Sequence, residues 1–179
     1  MKNEKTKTLV FSAMFAAIIM ALTTYGQIKT GVNDGYIHFG DSMIYLAACM
    51  LPAPYAMCAA SIGASLSDIL SGSAVWAPAT AIIKALNVIP FALMIKHLRK
   101  NGKDANIINK GTIIMAVVSG IITILGYFVA EGIMFGFKVA AVSSILRGLV
   151  QPVGSAIVFY AVGMALDKAK FKSRVIGNL

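Results

Sequence analysis

From residue 8 to residue 168 the chain alternates apolar runs with short polar breaks. The first run, residues 8–27, has roughly the ~20 residues that an α-helix needs to cross hydrocarbon. A polar stretch rich in turn formers follows at 29–41. A short run at 42–51 stops at Pro52-Ala53-Pro54, because proline lacks an amide donor and disfavours helix in the residue before it. Further runs lie at 55–70, 76–98, 111–135 and 141–166, with Ser71-Gly72-Ser73 closing the third. The pattern predicts an all-α bundle of six transmembrane helices forming one domain over residues 1–179. Read as one kinked helix, 42–70 would leave five crossings and put the chain ends on opposite sides.

Charge bears on that choice. Cations cluster at Lys2, Lys5 and Lys7, at Lys96, Arg99, Lys100, Lys103 and Lys110, and at Lys168, Lys170, Lys172 and Arg174, which together hold most of the 16 basic residues. Six crossings place all three clusters on one side, and five would strand the last. Basic loops stay on the cytoplasmic side, so both termini are expected to be cytoplasmic. A mean hydropathy of +0.79 and only 13% charged residues contrast with the roughly one quarter usual in soluble domains. The expected setting is a membrane, crossed several times.

The net charge of +9 would suggest nucleic acid in a soluble protein. Here the cations lie at helix ends without interleaved aromatics, which points to the anionic headgroups of a lipid bilayer and to no nucleic-acid partner. The first run has a basic start like a signal peptide, but it lacks a small-x-small cleavage site and precedes five more runs, so it is expected to be retained. Cys49 and Cys58 sit in apolar runs and are expected as buried free thiols.

Small residues recur every four positions at Ala13, Ala17 and Ala21, and again at Ala56, Ala60 and Ala64. Such stripes let another helix approach closely in lipid. The first stripe serves either the bundle or a separate membrane subunit; the second is better read as internal packing.

Charged groups inside apolar runs are costly, by about 2.5–3.5 kcal/mol each on insertion scales, and mark cavities or pairs. The expected topology gathers Asp41, Asp68, Glu131 and Arg147 near the outer ends of the helices, with Lys84 about two turns into the fourth. Thr80 and Lys84, Tyr127 and Glu131, and Arg147 and Gln151 share helix faces at i, i+4. With Tyr36, His38, Asp41, Trp76 and Asn87 they form the candidate ligand-binding set. Trp76, Tyr127 and Phe128 would stack on a flat ring while the polar groups read its edge. Alternatively Lys84 pairs with Glu131 or Asp68, Arg147 pairs with Glu131, and Trp76 and Tyr36 are interfacial anchors. No catalytic motif, metal-ligand spacing or phosphate-cradling loop is present, so neither enzyme activity nor a cofactor is expected.

Several segments together resemble the substrate-binding S components of energy-coupling factor (ECF) transporters. They are the Ala13, Ala17 and Ala21 stripe, Tyr36-Ile-His38-Phe-Gly40-Asp41, Leu51-Pro-Ala-Pro-Tyr55, Gly63-Ala-Ser-Leu-Ser-Asp68-Ile-Leu-Ser-Gly72, Trp76-Ala-Pro-Ala-Thr80-Ala-Ile-Ile-Lys84, Gly126-Tyr-Phe-Val-Ala-Glu131 and Gln151. The resemblance implies a six-helix subunit that captures a small heteroaromatic vitamin or precursor of the hydroxymethylpyrimidine, pyridoxine or riboflavin type. It further implies association with a membrane coupling (T) subunit, through Ala13, Ala17 and Ala21, and with two cytoplasmic ATPases. Arg147 stands where the resemblance leads one to expect asparagine, which favours a more acidic or oxygen-rich ligand. Two other readings are a stand-alone ion-coupled carrier and an intramembrane enzyme using Asp68, Glu131 and Lys84.

Overall fold

The computed structural model describes residues 2–29, 36–100 and 106–176, with some side chains within them outside the description. Helix α1 spans Lys2–Tyr25, and a two-stranded antiparallel hairpin of β1 (Gln27–Lys29) and β2 (Tyr36–His38) follows. Next come α2 (Gly40–Met50), α3 (Ala53–Leu70), a 3-10 turn (Ala74–Trp76), α4 (Ala77–Lys100), α5 (Lys110–Phe135) and α6 (Phe137–Lys168). The hairpin was not foreseen; it pairs Gln27 with His38 and Lys29 with Tyr36 across residues read as a polar loop.

Among the described residues, four segments are long and apolar enough to cross a membrane: Glu4–Tyr25, Ala74–Leu98, Lys110–Phe135 and Val150–Lys168. Helix α2 has only 11 residues, about 16 Å at the helical rise, which is half of a bilayer core. It compensates by being the central element: ten of its residues are buried, and it touches α1, α3, α4 and α6. A helix enclosed on every side is expected to be apolar all round, and Ile44, Leu46, Ala47, Ala48, Cys49 and Met50 satisfy that.

The small-residue stripes take different roles. Ala56, Ala60 and Ala64 of α3 are fully buried, and a Cβ on Gly63 would lie 2.5 Å from the Ala16 carbonyl oxygen of α1. The backbones of α1 and α3 therefore touch along this line. Ala13 and Ala17, by contrast, are exposed and Ala21 is half-buried. Cys49 is buried as expected, whereas Cys58 is exposed, so only one of the two thiols fills the core.

Polar contacts tie both ends of the bundle. At one end Ser12 donates to the Tyr55 carbonyl at 3.0 Å, and Asp167 of α6 accepts from the Ile107 and Ile108 amides at 2.9 and 2.8 Å. Asn109 caps α5 there, accepting from the Thr112 amide at 3.0 Å. At the other end Thr24 donates to Ser67 at 2.9 Å.

Gly63→Val should lower the thermal stability of detergent-purified protein by about 1–3 kcal/mol, the usual cost of overpacking. An unchanged midpoint would show that α1 and α3 can separate freely.

Candidate functional site

Helix α2 begins inside the bundle, so its first carboxylate is buried there. Asp41 has no exposed surface, nor has Lys84 of α4, and Lys84 Nζ lies 2.7 Å from Oδ1 and 2.9 Å from Oδ2. The ammonium thus faces both carboxylate oxygens. Gln151 of α6 donates from Nε2 to Asp41 Oδ2 at 2.9 Å and lies 3.3 Å from His38 Nε2. Three helices and the hairpin meet at one carboxylate. This corrects the expected pairing: the cation of α4 takes Asp41, 43 residues away in sequence, as its salt-bridge partner rather than Asp68 or Glu131.

His38 ends β2 and is buried. Its Nδ1 accepts from the Gly40 amide at 3.1 Å, which turns the chain into α2. Burial pulls the ring pKa down to about 4; Asp41 opposes that shift and Lys84 adds to it. The imidazole is therefore neutral at pH 7. Gly40 has no substitute here, because a Cβ would fall on Thr23 Oγ1 of α1.

Aromatic groups border the charged layer. The Lys84 ammonium sits 5.2 Å from the Tyr127 ring centroid, within cation–π range. The Tyr127 hydroxyl is 2.9 Å from Thr80 Oγ1, and its ring meets Trp76 edge-on at 6.0 Å. Trp76 is buried and packs against Phe135 as well. Phe128 turns to Phe137 at 5.8 Å and so packs apart from the Trp76–Tyr127 pair.

One turn below Lys84, Asn87 donates to Thr123 Oγ1 at 2.7 Å, and Ser119 donates to the Asn87 carbonyl at 2.8 Å. Asn87 Oδ1, Tyr45 Oη and Thr23 Oγ1 are buried without a hydrogen-bond partner among the described residues. Each such group costs about 1–3 kcal/mol when left unsatisfied, so the layer carries unused capacity to bind polar atoms. Tyr45 escaped the sequence reading. It lies one turn after Asp41 on α2, stacked on Phe91 at 5.0 Å and edge-on to Phe159 at 5.8 Å. Its spacing from Asp41, i to i+4, was the available signal.

Of the other expected residues, Glu131 is buried one turn beyond Tyr127 on α5. The side chains of Tyr36 and Arg147 lie outside the described residues.

Residues 3–168 match the family of S components of ECF-type riboflavin transporters. The chain belongs to that family. It is also similar to a Pyrococcus woesei protein described as an uncharacterized protein in the gap 3'region, with 28% identity over 150 residues, 84% of this chain and 95% of the relative. The ECF S component is thus a membrane transport subunit of a vitamin importer rather than an enzyme. In this S component the matched stretch contains every element of the buried layer, from Thr23 to Ser155.

Removing one partner of a buried pair leaves an uncompensated charge and costs about 3–5 kcal/mol, whereas replacing both with apolar groups is often neutral. Lys84→Met should therefore sharply lower the unfolding temperature, and adding Asp41→Leu should restore most of it. A double variant no more stable than the single one would show that the pairing is not what the fold depends on.

Proposed function

We propose that this S component binds riboflavin or a closely similar heteroaromatic vitamin from outside the prokaryotic cell. It then delivers the vitamin through a membrane coupling subunit and two cytoplasmic ATPases. The observation that carries the reading is the buried layer of Lys84, Asp41, Gln151 and Asn87 beside the Trp76–Tyr127 aromatic pair. An isoalloxazine-type ring offers a flat face to such aromatics and an edge of alternating carbonyl and N–H groups. Carbonyl oxygens suit Lys84 and Gln151, and a ring N–H suits the unpartnered Asn87 Oδ1. Thr80, Glu131, Tyr36, His38 and Arg147 complete the proposed set, Tyr36 and His38 from the hairpin and Arg147 from α6.

In this reading six crossings leave both termini cytoplasmic, which keeps the three basic clusters inside. The hairpin closes over the bound ring. Energy comes from the partners, and reorientation of the bundle releases the ligand inward, a form of rigid-body alternating access. The exposed Ala13 and Ala17 with Ala21 form the face that meets the coupling subunit, where small side chains permit close helix contact.

Titration of the purified protein with riboflavin should quench flavin fluorescence to saturation. Lys84→Ala or Asn87→Ala should weaken binding at least tenfold, about 1.4 kcal/mol. Saturable binding of hydroxymethylpyrimidine or pyridoxine without riboflavin would transfer the site to another vitamin class, and unchanged affinity in both variants would move it elsewhere.

Ala17→Trp should abolish co-purification with the coupling and ATPase subunits while leaving riboflavin binding intact. Loss of both properties would count against a docking face. Uptake into vesicles that contain no ATPase would instead favour a stand-alone carrier.

A further inference from the structure

A second feature lies apart from the buried layer. Between α4 and α5 runs an open groove of about 520 Å³, within the size range of small-molecule sites. Leu86, Pro90 and Met94 line it from α4, and Met115, Val118 and Ile122 line it from α5. The lining is almost wholly apolar until His97, which stands at one end. Leu86 and Leu93 are exposed on the outer surface of the bundle, so the groove opens away from the core.

The His97 end is cationic. Lys96 and Lys100 flank His97 on α4, and both are exposed. Lys110, also exposed, opens α5. Gly111 beside it packs on Met94, where a Cβ would lie 2.8 Å from Sδ, and this sets Lys110 at the same end of the groove. Asp167, which is tied to this end, accepts from the Ile107 and Ile108 amides. An apolar furrow with exposed lysines at one end matches one kind of molecule: an acyl chain attached to an anionic headgroup.

We propose that the α4–α5 groove binds an anionic phospholipid, with an acyl chain along Leu86, Pro90, Met94, Val118 and Ile122 and the headgroup phosphate between Lys96, Lys100 and Lys110. Attraction of about 1 kcal/mol per lysine near an anionic lipid surface corresponds to roughly fivefold in occupancy. The bound lipid fills the furrow between the two helices, and it belongs to the leaflet at the basic end of the bundle whichever way the protein is oriented.

The test is native mass spectrometry of the full-length protein released from nanodiscs containing equal amounts of phosphatidylglycerol and phosphatidylcholine. Wild type should retain phosphatidylglycerol in preference to phosphatidylcholine by at least about fivefold, the effect of one lysine. The triple variant Lys96→Gln, Lys100→Gln, Lys110→Gln should lose that preference, and Val118→Trp, which fills the groove, should lower retention of both lipids. Ile122→Trp serves the same purpose should Val118→Trp fail to give a monodisperse protein. Riboflavin titration reports separately on the buried layer and should be unchanged in all of these variants. Equal retention of the two lipids by wild type would overturn the proposal. So would phosphatidylglycerol retention that survives both groove-filling variants, or groove-filling variants that lose only the coupling subunit, which would make the groove a protein interface.

Discussion

A lysine and an aspartate with no exposed surface, 2.7 Å apart, constrain almost everything around them. At the low effective dielectric of a bundle interior, either charge alone would be far more costly than any single packing contact. The pair therefore fixes the distance between the start of α2 and the second turn of α4. Gln151 adds α6 by bonding the same carboxylate, and the Gly40 amide on His38 adds the hairpin. Because α2, with 11 residues, is too short to span hydrocarbon and starts inside the bundle, it delivers Asp41 to the interior rather than to a surface. A longer α2 would carry that carboxylate to water and dissolve the layer.

Next to this layer the core becomes aromatic. Tyr45, Phe91 and Phe159 form a mutual aromatic cluster, with centroid separations of 5.0, 5.8 and 5.6 Å. Aromatic pairs of this kind add about 0.5–1.5 kcal/mol beyond their buried area. The polar layer and the aromatic cluster are thus stacked along α2, one turn apart. One offers hydrogen-bonding capacity and the other closes the interior beneath it.

Much of the helix layout was legible because the helices are announced by apolar runs and break chemistry: Pro52 before α3, with Pro54 in its first turn, and Ser71-Gly72-Ser73 after it. Lys84, Asp41, His38, Asn87 and Gln151 were also legible, since polar groups within apolar runs must serve a purpose. Their pairing was not. The rule for neighbours at i, i+4 reaches one turn along a helix, whereas Asp41 and Lys84 are joined across the bundle by the position of α2. Tyr45 was missed because a tyrosine in a helical apolar run looks like ordinary core; only its neighbours show that its hydroxyl is buried and has no hydrogen-bond partner among the described residues. The hairpin was missed because Lys29-Thr30-Gly31 to Gly35 carries turn formers and little strand periodicity, and Gln27, Ile28 and Lys29 gain their partners only through closure onto residues 36–38.

The stacked arrangement also bears on how a ligand held in the buried layer would leave. A route through the bundle would have to part the Tyr45, Phe91 and Phe159 rings and expose α2, whose neighbours include four other helices. It would also break the Asp41–Lys84 contact while both groups remain buried, which is an unfavourable way to separate a pair. Motion of the bundle as a unit avoids both costs, since every contact of the layer and of the aromatic cluster moves together. It needs only a surface on which to turn. The exposed alanines of α1 present no bulky side chains to obstruct such sliding, whereas α3, whose alanines are locked against the α1 backbone at Gly63, is held to α1 and would travel with it. If the ligand is held in this layer as proposed, turning of the bundle as a unit is the motion that leaves the buried Asp41–Lys84 pair intact.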